Sequence, residues 1–386
     1  MEKLRIGIFG LWRGMEYLRQ FSARPDTEVT AVCDSNPKRI EEALAVKPGV
    51  RVCEDFDGLL DSGIDAVVLC NFFHEHEPYA IRAMEHGVDV LSECTAAATM
   101  GDCVRLYEAV QRTGRRYMLA ENYPFTTTMQ EITRLCQEGT LGRILYAEGE
   151  YNHSGPREML KELTPEPNHW RAWLPRTYYA THALGPLMFA TGQMPVQVSA
   201  FAVHSYVLEE YDDFRHNYDA LAMMNCISVD GALFRFTGCT AMGSKSGYRI
   251  VGEFGSCETG RALGGDVYLN YQPWTIPEGR SEKQIYTPNL PDHTAHGGHG
   301  GGDYVVAENF ADYVLRDRAP FFDVNRACAM SATSILAWRS CLENGKVYPV
   351  PDFSREEERN RYRDDFLTPF PDAEGKVTLP CALPKH

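Results

Sequence analysis

The sequence is short of positive charge. Its 386 residues include 53 Asp and Glu against 38 Lys and Arg, a formal net charge of −15. Such a charge repels a phosphate backbone and argues against a nucleic-acid partner. The chain also lacks any run of about 18 consecutive apolar residues, so we expect no transmembrane helix and no membrane partner. The first predicted strand begins almost at residue 1, so we expect no signal peptide and a cytoplasmic location.

Paired cysteine motifs are absent as well. The twelve cysteines are scattered, and no two are spaced as C-x-x-C. Several of them, such as Cys33, Cys70 and Cys226, lie in apolar runs, so we expect reduced and mostly buried thiols. The sequence has no internal repeat and no low-complexity linker. Its length predicts two domains, and a hydrophobic share of 44% supports sizeable cores.

The opening stretch, residues 3–39, carries an incomplete dinucleotide-binding pattern. An apolar run is followed by a glycine turn, a helix-like segment and a second apolar run that ends in Asp34. In such a unit, glycines let the backbone approach a pyrophosphate, and the acid binds a ribose hydroxyl. Of the three glycines in G-x-G-x-x-G only Gly10 is present, because Trp12 and Met15 replace the others. The alternative is an ordinary glycine turn, but the order of elements favours nucleotide binding.

The stretch that follows alternates strands with helices. Largely apolar strands are predicted at 50–53, 66–70, 88–91 and 117–120, separated by helices at 37–45, 55–60, 77–86 and 99–112. This alternation predicts a doubly wound parallel sheet, in which ligands bind beyond the carboxyl ends of the strands. We therefore expect one crevice lined by the strand tips, namely Gly10 to Gly14, Asp34, Asn71 to His76, Glu93-Cys94 and Glu121-Asn122.

The pattern changes at about residue 124. After a helix at 128–137, alternating strands are predicted at 144–151, 198–202, 220–227, 232–236 and 249–251, and then helices at 304–316 and 325–343. Alternating polarity is typical of an antiparallel sheet with one open face. We therefore predict a nucleotide-binding domain at residues 1–123. An α/β domain with a large open, mostly antiparallel sheet should follow at residues 124–386, with a charged C-terminal surface tail.

Together these stretches resemble the Gfo/Idh/MocA oxidoreductase family over nearly the whole chain. The similar features are the opening turn, Asp34, the strand tip with His76, Glu93, and the segment Gly252-Glu253-Phe254-Gly255-Ser256, which looks like the G-E-x-G-S turn of the family. The resemblance implies a Rossmann domain that binds NAD and an α/β domain whose open sheet covers the substrate. One departure matters: most dehydrogenases of the family carry E-K-P after the fifth strand, whereas this chain has Glu93-Cys94-Thr95.

The NAD-dependent glycoside hydrolase family 109 branch also lacks that lysine, and several of its motifs are similar to stretches of this chain. They are a G-x-R-G turn at Leu11-Trp12-Arg13-Gly14, an E-N pair at Glu121-Asn122, a Y-x-H at Tyr151-Asn152-His153, a Y-P-T-H-x-L-G-P at Tyr179 to Pro186 with Ala180 replacing the proline, and an H-G-G-M-D at His299 to Asp303. The match from Tyr179 to Pro186 is the most specific of these.

The resemblance implies roles for individual residues. Cofactor-binding positions are matched by Gly10, Trp12, Arg13, Asp34, Asn71, His76, Glu93, Cys94 and Asn122. Substrate-binding positions are matched by Tyr151, Arg171, Tyr179, His182 and His299, and catalytic positions by Tyr179, His182 and His153. Tyr179 and His182 are three residues apart and would share one face of a helix. Histidine exchanges protons near neutral pH, which suits a catalytic role. The alternative is that His182 is a structural histidine and Tyr179 a half-buried tyrosine without a catalytic role.

The implied reaction is a redox-neutral glycoside hydrolysis on a small-molecule substrate. Tightly bound NAD⁺ oxidises C3 of the sugar, a base removes the acidified C2 proton, the C1 group leaves by elimination, water adds, and the hydride returns. Three alternatives stay open: a sugar or cyclitol dehydrogenase that releases NADH, a 3-keto-glycoside lyase, and a non-enzymatic NAD-binding regulator. Homo-oligomers are common in the family, and a homo-oligomer and a monomer both stay open for this chain.

A divalent metal is a further open question. Glu150, His153, His182 and His299 are suitable ligands for Mn²⁺ or Zn²⁺, which would stabilise an enediolate. These four residues contain no close histidine spacing such as H-x-x-x-H, so the sequence assigns no metal. The three histidines between His293 and Asp303 lie among five glycines, which is typical of a flexible surface loop or of a mobile loop that brings His299 to the sugar.

Overall fold

The structure is a computed structural model that describes residues 3–153, 157–164, 166, 169–206, 209, 216–238, 246–291, 293 and 296–383. The chain packs as two compact units. The first takes the chain up to Asn122 together with His293–Cys328 and Phe353–Phe366, and the second takes Tyr123–Asp292, Ala329–Asp352 and the chain from Leu367 onward. The units therefore interleave along the chain. The functional division at residues 1–123 and 124–386 stays a prediction.

The first unit is built on a six-stranded sheet in which all neighbouring strands are parallel. Its order is β3-β2-β1-β4-β5-β6, with β1 Leu4–Phe9, β2 Thr27–Cys33, β3 Arg51–Val52, β4 Ala66–Leu69, β5 Asp89–Ser92 and β6 Tyr117–Leu119. Every residue of β4 and β5 is buried, as expected for central parallel strands that are covered on both faces. Because the strands run in one direction, their carboxyl ends meet at one edge.

Helices of the first unit connect these strands. They are α1 Leu11–Ala23, α2 Pro37–Val46, α3 Phe56–Leu60, α4 His76–Glu85 and α5 Met100–Thr113. The α5 helix begins with a capping box, since the Thr99 hydroxyl accepts from the Asp102 amide and the Asp102 carboxylate accepts from the Thr99 amide. The later segments add a short 3-10 turn His299–Gly301, the helix α10 Gly302–Arg316 and the helical turn α12 Glu356–Arg359.

The second unit contains a nine-stranded sheet of order β14-β13-β12-β11-β7-β10-β9-β8-β15. Its strands are β7 Ile144–Glu150, β8 Pro195–His204, β9 Asp219–Ser228, β10 Leu233–Thr237, β11 Gly247–Gly252, β12 Gly255–Gly260, β13 Val267–Tyr271, β14 Lys283–Tyr286 and β15 Tyr348–Pro349. Only β7 and β10 pair in parallel. The remaining pairs are antiparallel.

Helices cover one face of this sheet. The helices of the second unit are α6 Thr127–Gln137, α7 Arg157–Leu163, α8 Trp170–Trp173 and α9 Thr181–Thr191, together with the 3-10 turns Tyr123–Phe125 and Arg176–Tyr179. The long helix α11, Val324–Leu342, begins in the first unit and ends in the second. Gly149 on β7 lets α9 come close, because a Cβ at that position would lie 2.2 Å from the carbonyl oxygen of Ala183. The start of α9 is therefore fixed against the sheet.

The predicted fold class is confirmed: a doubly wound parallel sheet is followed by a large, mostly antiparallel one. The predicted helices and strands are present, with ends displaced by a few residues. Four strands, β12 to β15, were not predicted. β12 has glycine and threonine at buried positions, β14 buries no residue, and β15 is two residues long. Within the described residues, no helix is both long and apolar enough to cross a lipid bilayer.

Candidate functional site

The glycine turn after β1 holds the first group of predicted cofactor residues. Gly10 has φ +88°, and a Cβ there would lie 2.4 Å from the carbonyl oxygen of Cys70. The next amide, at the start of α1, donates to Oδ2 of Asp34 at 2.5 Å, and the Asn36 amide donates to Oδ1 at 2.7 Å. Each carboxylate oxygen keeps a second lone pair that can accept from a ribose hydroxyl. The sequence-predicted pair of turn and acid is therefore in contact.

Trp12 and Arg13 occupy the first turn of α1 but differ in their surroundings. The Trp12 side chain is exposed, at 55%. The Arg13 guanidinium is largely covered, and its Nε donates to Oε1 of Glu93 at 2.8 Å while its two terminal nitrogens contact Asp303. Burial alone would lower the Arg13 pKa, but Glu93 and then Tyr17 and Asp303 raise it well above its ordinary value. Arg13 thus joins two elements of its own unit.

Glu93 accepts three hydrogen bonds at the end of β5. Besides Arg13, the Tyr17 hydroxyl donates to its Oε1 at 2.9 Å, and the Cys94 amide donates to its Oε2 at 3.2 Å. Tyr17 is fully buried and was not predicted as a site residue. A signal for it exists in the sequence, because Tyr17 lies four residues after Arg13 on α1, and the guanidinium carbon is 5.0 Å from the centre of its ring.

Cys94 stands where the family carries lysine. Its side chain is buried, and Sγ lies 3.6 Å from Oε2 of Glu121 and 4.0 Å from the carbonyl oxygen of Ala120. The peptide bond between Cys94 and Thr95 is cis. A buried thiol donates one weak hydrogen bond and carries no positive charge, so Cys94 does not reproduce the chemistry of a lysine ammonium.

His76 links two of the strand tips through its ring. Nδ1 lies 2.8 Å from the carbonyl oxygen of Thr95, and Nε2 lies 3.3 Å from that of Asn71. Burial lowers the pKa of His76, so the ring is neutral and carries one hydrogen. With that hydrogen on Nδ1 the ring donates to Thr95, and Nε2 only lies near the Asn71 carbonyl without bonding it. His76 therefore holds the loops after β4 and β5 together.

The half-buried Asn71 and the buried Asn122 both lie at the strand tips. Within the described part of the chain, neither polar atom of the Asn71 amide has a hydrogen-bond partner, and the Oδ1 of Asn122 also has none. Buried side-chain amides in native proteins normally have partners. A ligand with both donors and acceptors would satisfy them, and the carboxamide and ribose groups of NAD are of that kind. The residues at the strand tips therefore fit the implied cofactor.

Asp303, the second residue of α10, is the centre of this network. Its Oδ1 accepts from Arg13 and, at 2.7 Å, from Nδ2 of Asn122, while its Oδ2 accepts from Arg13 at 3.1 Å and from Nδ1 of His299 at 2.9 Å. The side chain is fully buried. Burial alone would raise the Asp303 pKa, but the bonds from His299 and Arg13 lower it well below its ordinary range. The sequence placed Asp303 in a motif and gave it no role.

The glycine-rich segment before α10 packs against its own unit. Gly298 donates its amide to Oε1 of Glu16 at 3.1 Å, and the Gln20 amide donates to the carbonyl oxygen of His296 at 2.6 Å. A Cβ at Gly302 would lie 2.3 Å from the carbonyl oxygen of Asn122. Residues 296–302 therefore contact α1 and the Asn122 backbone that follows β6, and the mobility of this segment stays a prediction.

The second unit brings together the predicted catalytic tyrosine and histidine. The Tyr179 hydroxyl lies 3.2 Å from Nε2 of His182. The two residues do not share one helix face as predicted, because Tyr179 ends a 3-10 turn and His182 is the second residue of α9. Tyr248 fixes the start of α9 by donating its hydroxyl to the His182 carbonyl at 2.7 Å. The junction between the two helices aims both side chains at each other.

Aromatic rings surround His182. Tyr123 stacks on it, with ring centroids 4.5 Å apart and planes inclined by 29°, and Tyr151 meets it edge-on at 4.7 Å. Tyr151 also contacts the rings of Tyr179 at 5.8 Å and His153 at 5.9 Å. Tyr123 was not predicted as a site residue, although it directly follows the Glu121-Asn122 pair in the sequence. These five rings are called the aromatic cluster below.

Arg171 brings a positive charge to this cluster. Its guanidinium carbon lies 4.3 Å from the ring centre of Trp170 and 5.8 Å from that of Tyr179. Burial and then Arg171 lower the pKa of His153, and the same two causes lower that of His169 to about 4. Both histidines are therefore neutral at pH 7, and Nδ1 of His169 accepts from the Arg171 amide at 3.4 Å.

The proposed metal ligands do not form a ligand set in the described ranges. There, no three side chains of His, Cys, Asp or Glu come together as a group that could hold a metal ion. Glu150 instead pairs with Arg261 at 3.3 Å, and His299 is bound to Asp303.

Two family models match separate parts of the chain. Residues 4–121 match the oxidoreductase family with an NAD-binding Rossmann fold, and residues 283–360 match the C-terminal domain of glycosyl hydrolase 109. A glycosyl hydrolase family 109 protein of Porphyromonas gingivalis is 25% identical over 92% of this chain and 85% of its own. The family resemblance predicted from the motifs is confirmed.

Solved structures share the fold. Levoglucosan dehydrogenase in complex with NADH and L-sorbose superposes with a TM-score of 0.74 at 18% identity, covering 91% of this chain and 100% of its own. An oxidoreductase from Agrobacterium radiobacter in complex with NAD⁺, L-tartaric acid and magnesium has a TM-score of 0.73 at 15% identity, covering 90% and 98%.

Proposed function

Because the chain belongs to the Gfo/Idh/MocA oxidoreductase family and carries the C-terminal domain of its glycoside hydrolase 109 branch, we propose that it is a redox-neutral, NAD-dependent glycoside hydrolase. The substrate is a small-molecule glycoside. The contact between the Tyr179 hydroxyl and Nε2 of His182 supports this function most directly, because the reaction needs a group that exchanges a proton with carbon.

NAD is the cofactor in this proposal. Gly10, Trp12, Asp34, Asn71 and Asn122 would hold it, since they combine an open glycine turn, an acid and unsatisfied buried amides. Bound NAD supplies a hydride acceptor for C3 of the sugar and returns the hydride at the end, so that no net oxidation occurs. The other steps are proton transfers, the elimination of the group at C1 and the addition of water to the unsaturated sugar.

Tyr179 and His182 perform the proton transfer at C2. A phenol that is hydrogen-bonded to a neutral imidazole can pass its proton to that ring and take another from an acidic C–H. Arg171 adds a positive charge beside the Tyr179 ring, which favours the negative charge that develops during this step. Stacking on Tyr123 holds the His182 ring in place. The aromatic cluster also offers flat apolar faces of the kind that pack on sugar rings.

Further protons must move at the glycosidic oxygen and at water. His153 is neutral and half-buried beside Tyr151, and it serves as an acceptor in the second unit. His299 contributes a second imidazole. Its Nδ1–H is bound by the Asp303 carboxylate, so proton exchange with a substrate uses its other nitrogen.

A conventional sugar dehydrogenase is the second candidate. The superposition on levoglucosan dehydrogenase favours it, because that protein has the same fold. The Cys94 thiol disfavours it, because the lysine that assists the hydroxyl proton in such enzymes is missing. A 3-keto-glycoside lyase would use the same residues and stop before water adds.

A panel of aryl glycosides separates these functions. Purified protein is incubated with each glycoside, with and without added NAD⁺, while aglycone and NADH absorbance are followed together. Aglycone release without stoichiometric NADH is the expected result. Accumulating NADH would establish the dehydrogenase, and an unsaturated keto product would establish the lyase. If neither aglycone nor NADH appears while NAD is still bound, the protein is a non-catalytic NAD-binding protein.

A further inference from the structure

Asp303 connects two regions that are 290 residues apart in sequence. Its carboxylate accepts four hydrogen bonds, two from Arg13 and one each from Asn122 and His299. Four is the full capacity of an ionised carboxylate. The side chain is completely buried, so none of these partners is exchanged for water. Such a site is energetically demanding unless every bond is made.

The chain approaches this carboxylate closely enough to require glycine. A Cβ at Gly298 would lie 2.6 Å from Oδ2 of Asp303, and a Cβ at Gly302 would lie 2.3 Å from the carbonyl oxygen of Asn122. Both distances are shorter than any real contact, so the glycines allow the segment to close over Asp303. The H-G-G-G-D segment is thereby built around the carboxylate.

The bond to His299 also fixes where its proton lies. An ionised carboxylate only accepts hydrogen bonds, so Nδ1 of His299 carries the hydrogen. In the neutral ring, Nε2 is then the acceptor nitrogen. On the other side of Asp303, the bidentate pair sets the orientation of Arg13 in the first turn of α1, next to Trp12 and Gly10.

We propose that Asp303 is a positioning residue, which holds His299 in its Nδ1–H form and at the same time orders the nucleotide-binding turn through Arg13. It acts through these two residues and not by contact with substrate or cofactor. The first effect stands without any catalytic activity, and the second rests on the NAD binding of the proposed function.

The test compares the wild-type chain with Asp303→Asn, in which an amide of nearly the same shape replaces the carboxylate. Asp312→Asn is the matched control, because Asp312 is an ion-paired carboxylate on the same helix that pairs only with Arg316 and Arg318 among the described residues. Two-bond ¹H–¹⁵N NMR at about pH 8, above the ordinary histidine pKa of about 6.5, reports the tautomer. The signal that disappears in His299→Gln identifies the residue.

The expected wild-type spectrum shows His299 protonated on Nδ1. Asp303→Asn should shift it to a mixture or to the Nε2–H form, whereas Asp312→Asn should leave it unchanged. A wild-type His299 that is protonated on Nε2 would overturn the proposal even if Asp303→Asn does not fold.

Calorimetric titration with NAD⁺ provides the second measurement. We expect Asp303→Asn to bind about tenfold more weakly, the scale of one lost charged hydrogen bond, and Asp312→Asn to bind like wild type. Equal affinity in Asp303→Asn would refute the coupling to the turn. If the wild type binds no NAD⁺ at all, the proposed function fails while the tautomer result still decides the role of Asp303 toward His299.

Discussion

The hydroxyl oxygen of Tyr179 lies 3.2 Å from Nε2 of His182, although Tyr179 ends a 3-10 turn and His182 is the second residue of α9. A change of helix type between them turns the two side chains toward each other. The same segment contains Tyr178, which is buried and packs edge-on against Phe370 at 5.4 Å. Adjacent tyrosines thus have separate surroundings.

Tyr179→Phe should abolish glycoside cleavage and leave NAD binding intact. The substitution removes the hydroxyl that contacts His182 and keeps the ring that packs on Tyr151. A loss of at least about 100-fold in turnover is expected for a proton-transfer group. Aglycone release and calorimetric NAD titration measure the two effects.

Tyr178→Phe is the matched control and should keep most of the turnover. Wild-type turnover in Tyr179→Phe would show that the Tyr179 hydroxyl has no part in the reaction.

Cys94→Ala should retain glycoside cleavage within about threefold, because the buried thiol carries no charge and its contacts to Glu121 and Ala120, at 3.6 and 4.0 Å, are long. Its cost should be limited to stability, about 1 kcal/mol for the lost packing of one sulfur. Initial rates on the best aryl glycoside and a urea unfolding curve provide the measurements. A rate loss beyond about 100-fold would make Cys94 a participant in proton transfer.

Gly10→Ala should abolish NAD binding and destabilise the protein. A left-handed backbone costs alanine about 1–2 kcal/mol, and the new methyl group would also collide with the Cys70 carbonyl. Gly87→Ala isolates the first effect, because Gly87 has φ +84° and a Cβ added there would meet nothing within 4 Å. Urea unfolding should show a clearly larger loss for Gly10→Ala, and equal losses would contradict the close approach.

Glu77 should make stability fall as pH rises from about 4.5 to 7. Burial and then Asp102 raise its pKa from 4.5 to about 7, although Arg105 opposes them. The folded state therefore binds more protons than the unfolded state in this window, and its advantage is lost as Glu77 ionises. The shift corresponds to at most about 3 kcal/mol.

The measurement is the free energy of unfolding of wild type and Glu77→Gln at pH 5 and pH 7. Relative to Glu77→Gln, the free energy of unfolding of the wild type should be about 2 kcal/mol lower at pH 7 than at pH 5. A difference that stays constant, or that moves in favour of the wild type, would show that Glu77 ionises at its ordinary pH.

Glycoside cleavage should survive EDTA. Across the described residues no three ligand side chains converge, and Glu150 is paired with Arg261. Elemental analysis of protein purified without added metal should find less than one bound divalent ion per chain. Stoichiometric metal together with loss of activity in EDTA would establish a metal-dependent reaction.

Sequence patterns predicted the parts of the site that depend on local spacing. Asp34 was placed correctly against the opening turn because one strand and one helix separate them, and parallel strands bring such ends together. The contact of Tyr179 with His182 also follows from nearness along the chain, although its helical geometry did not.

Contacts between distant segments were not predictable in this way. Nothing in the sequence near Arg13 indicates that Asp303 will be its partner, because that contact depends on how α10 packs against α1. The strands β12 to β14 escaped prediction for another reason. Two of the three buried positions of β12 are Gly255 and Thr259, and β14 buries no residue, so neither strand has a strong apolar period. In β13 the aromatic Tyr268 lies between the buried Val267 and Leu269, which obscures the alternation.

The interleaving of the two units has a consequence for biosynthesis. Chains emerge from the ribosome from the N-terminus, and domains generally fold as units in that order. Here the first unit lacks residues 293–328 and 353–366 until almost the whole chain has been made. Until then Arg13 has no Asp303, and Gly101 has no Phe366 ring against it. The nucleotide-binding half is therefore the first to begin and among the last to be completed.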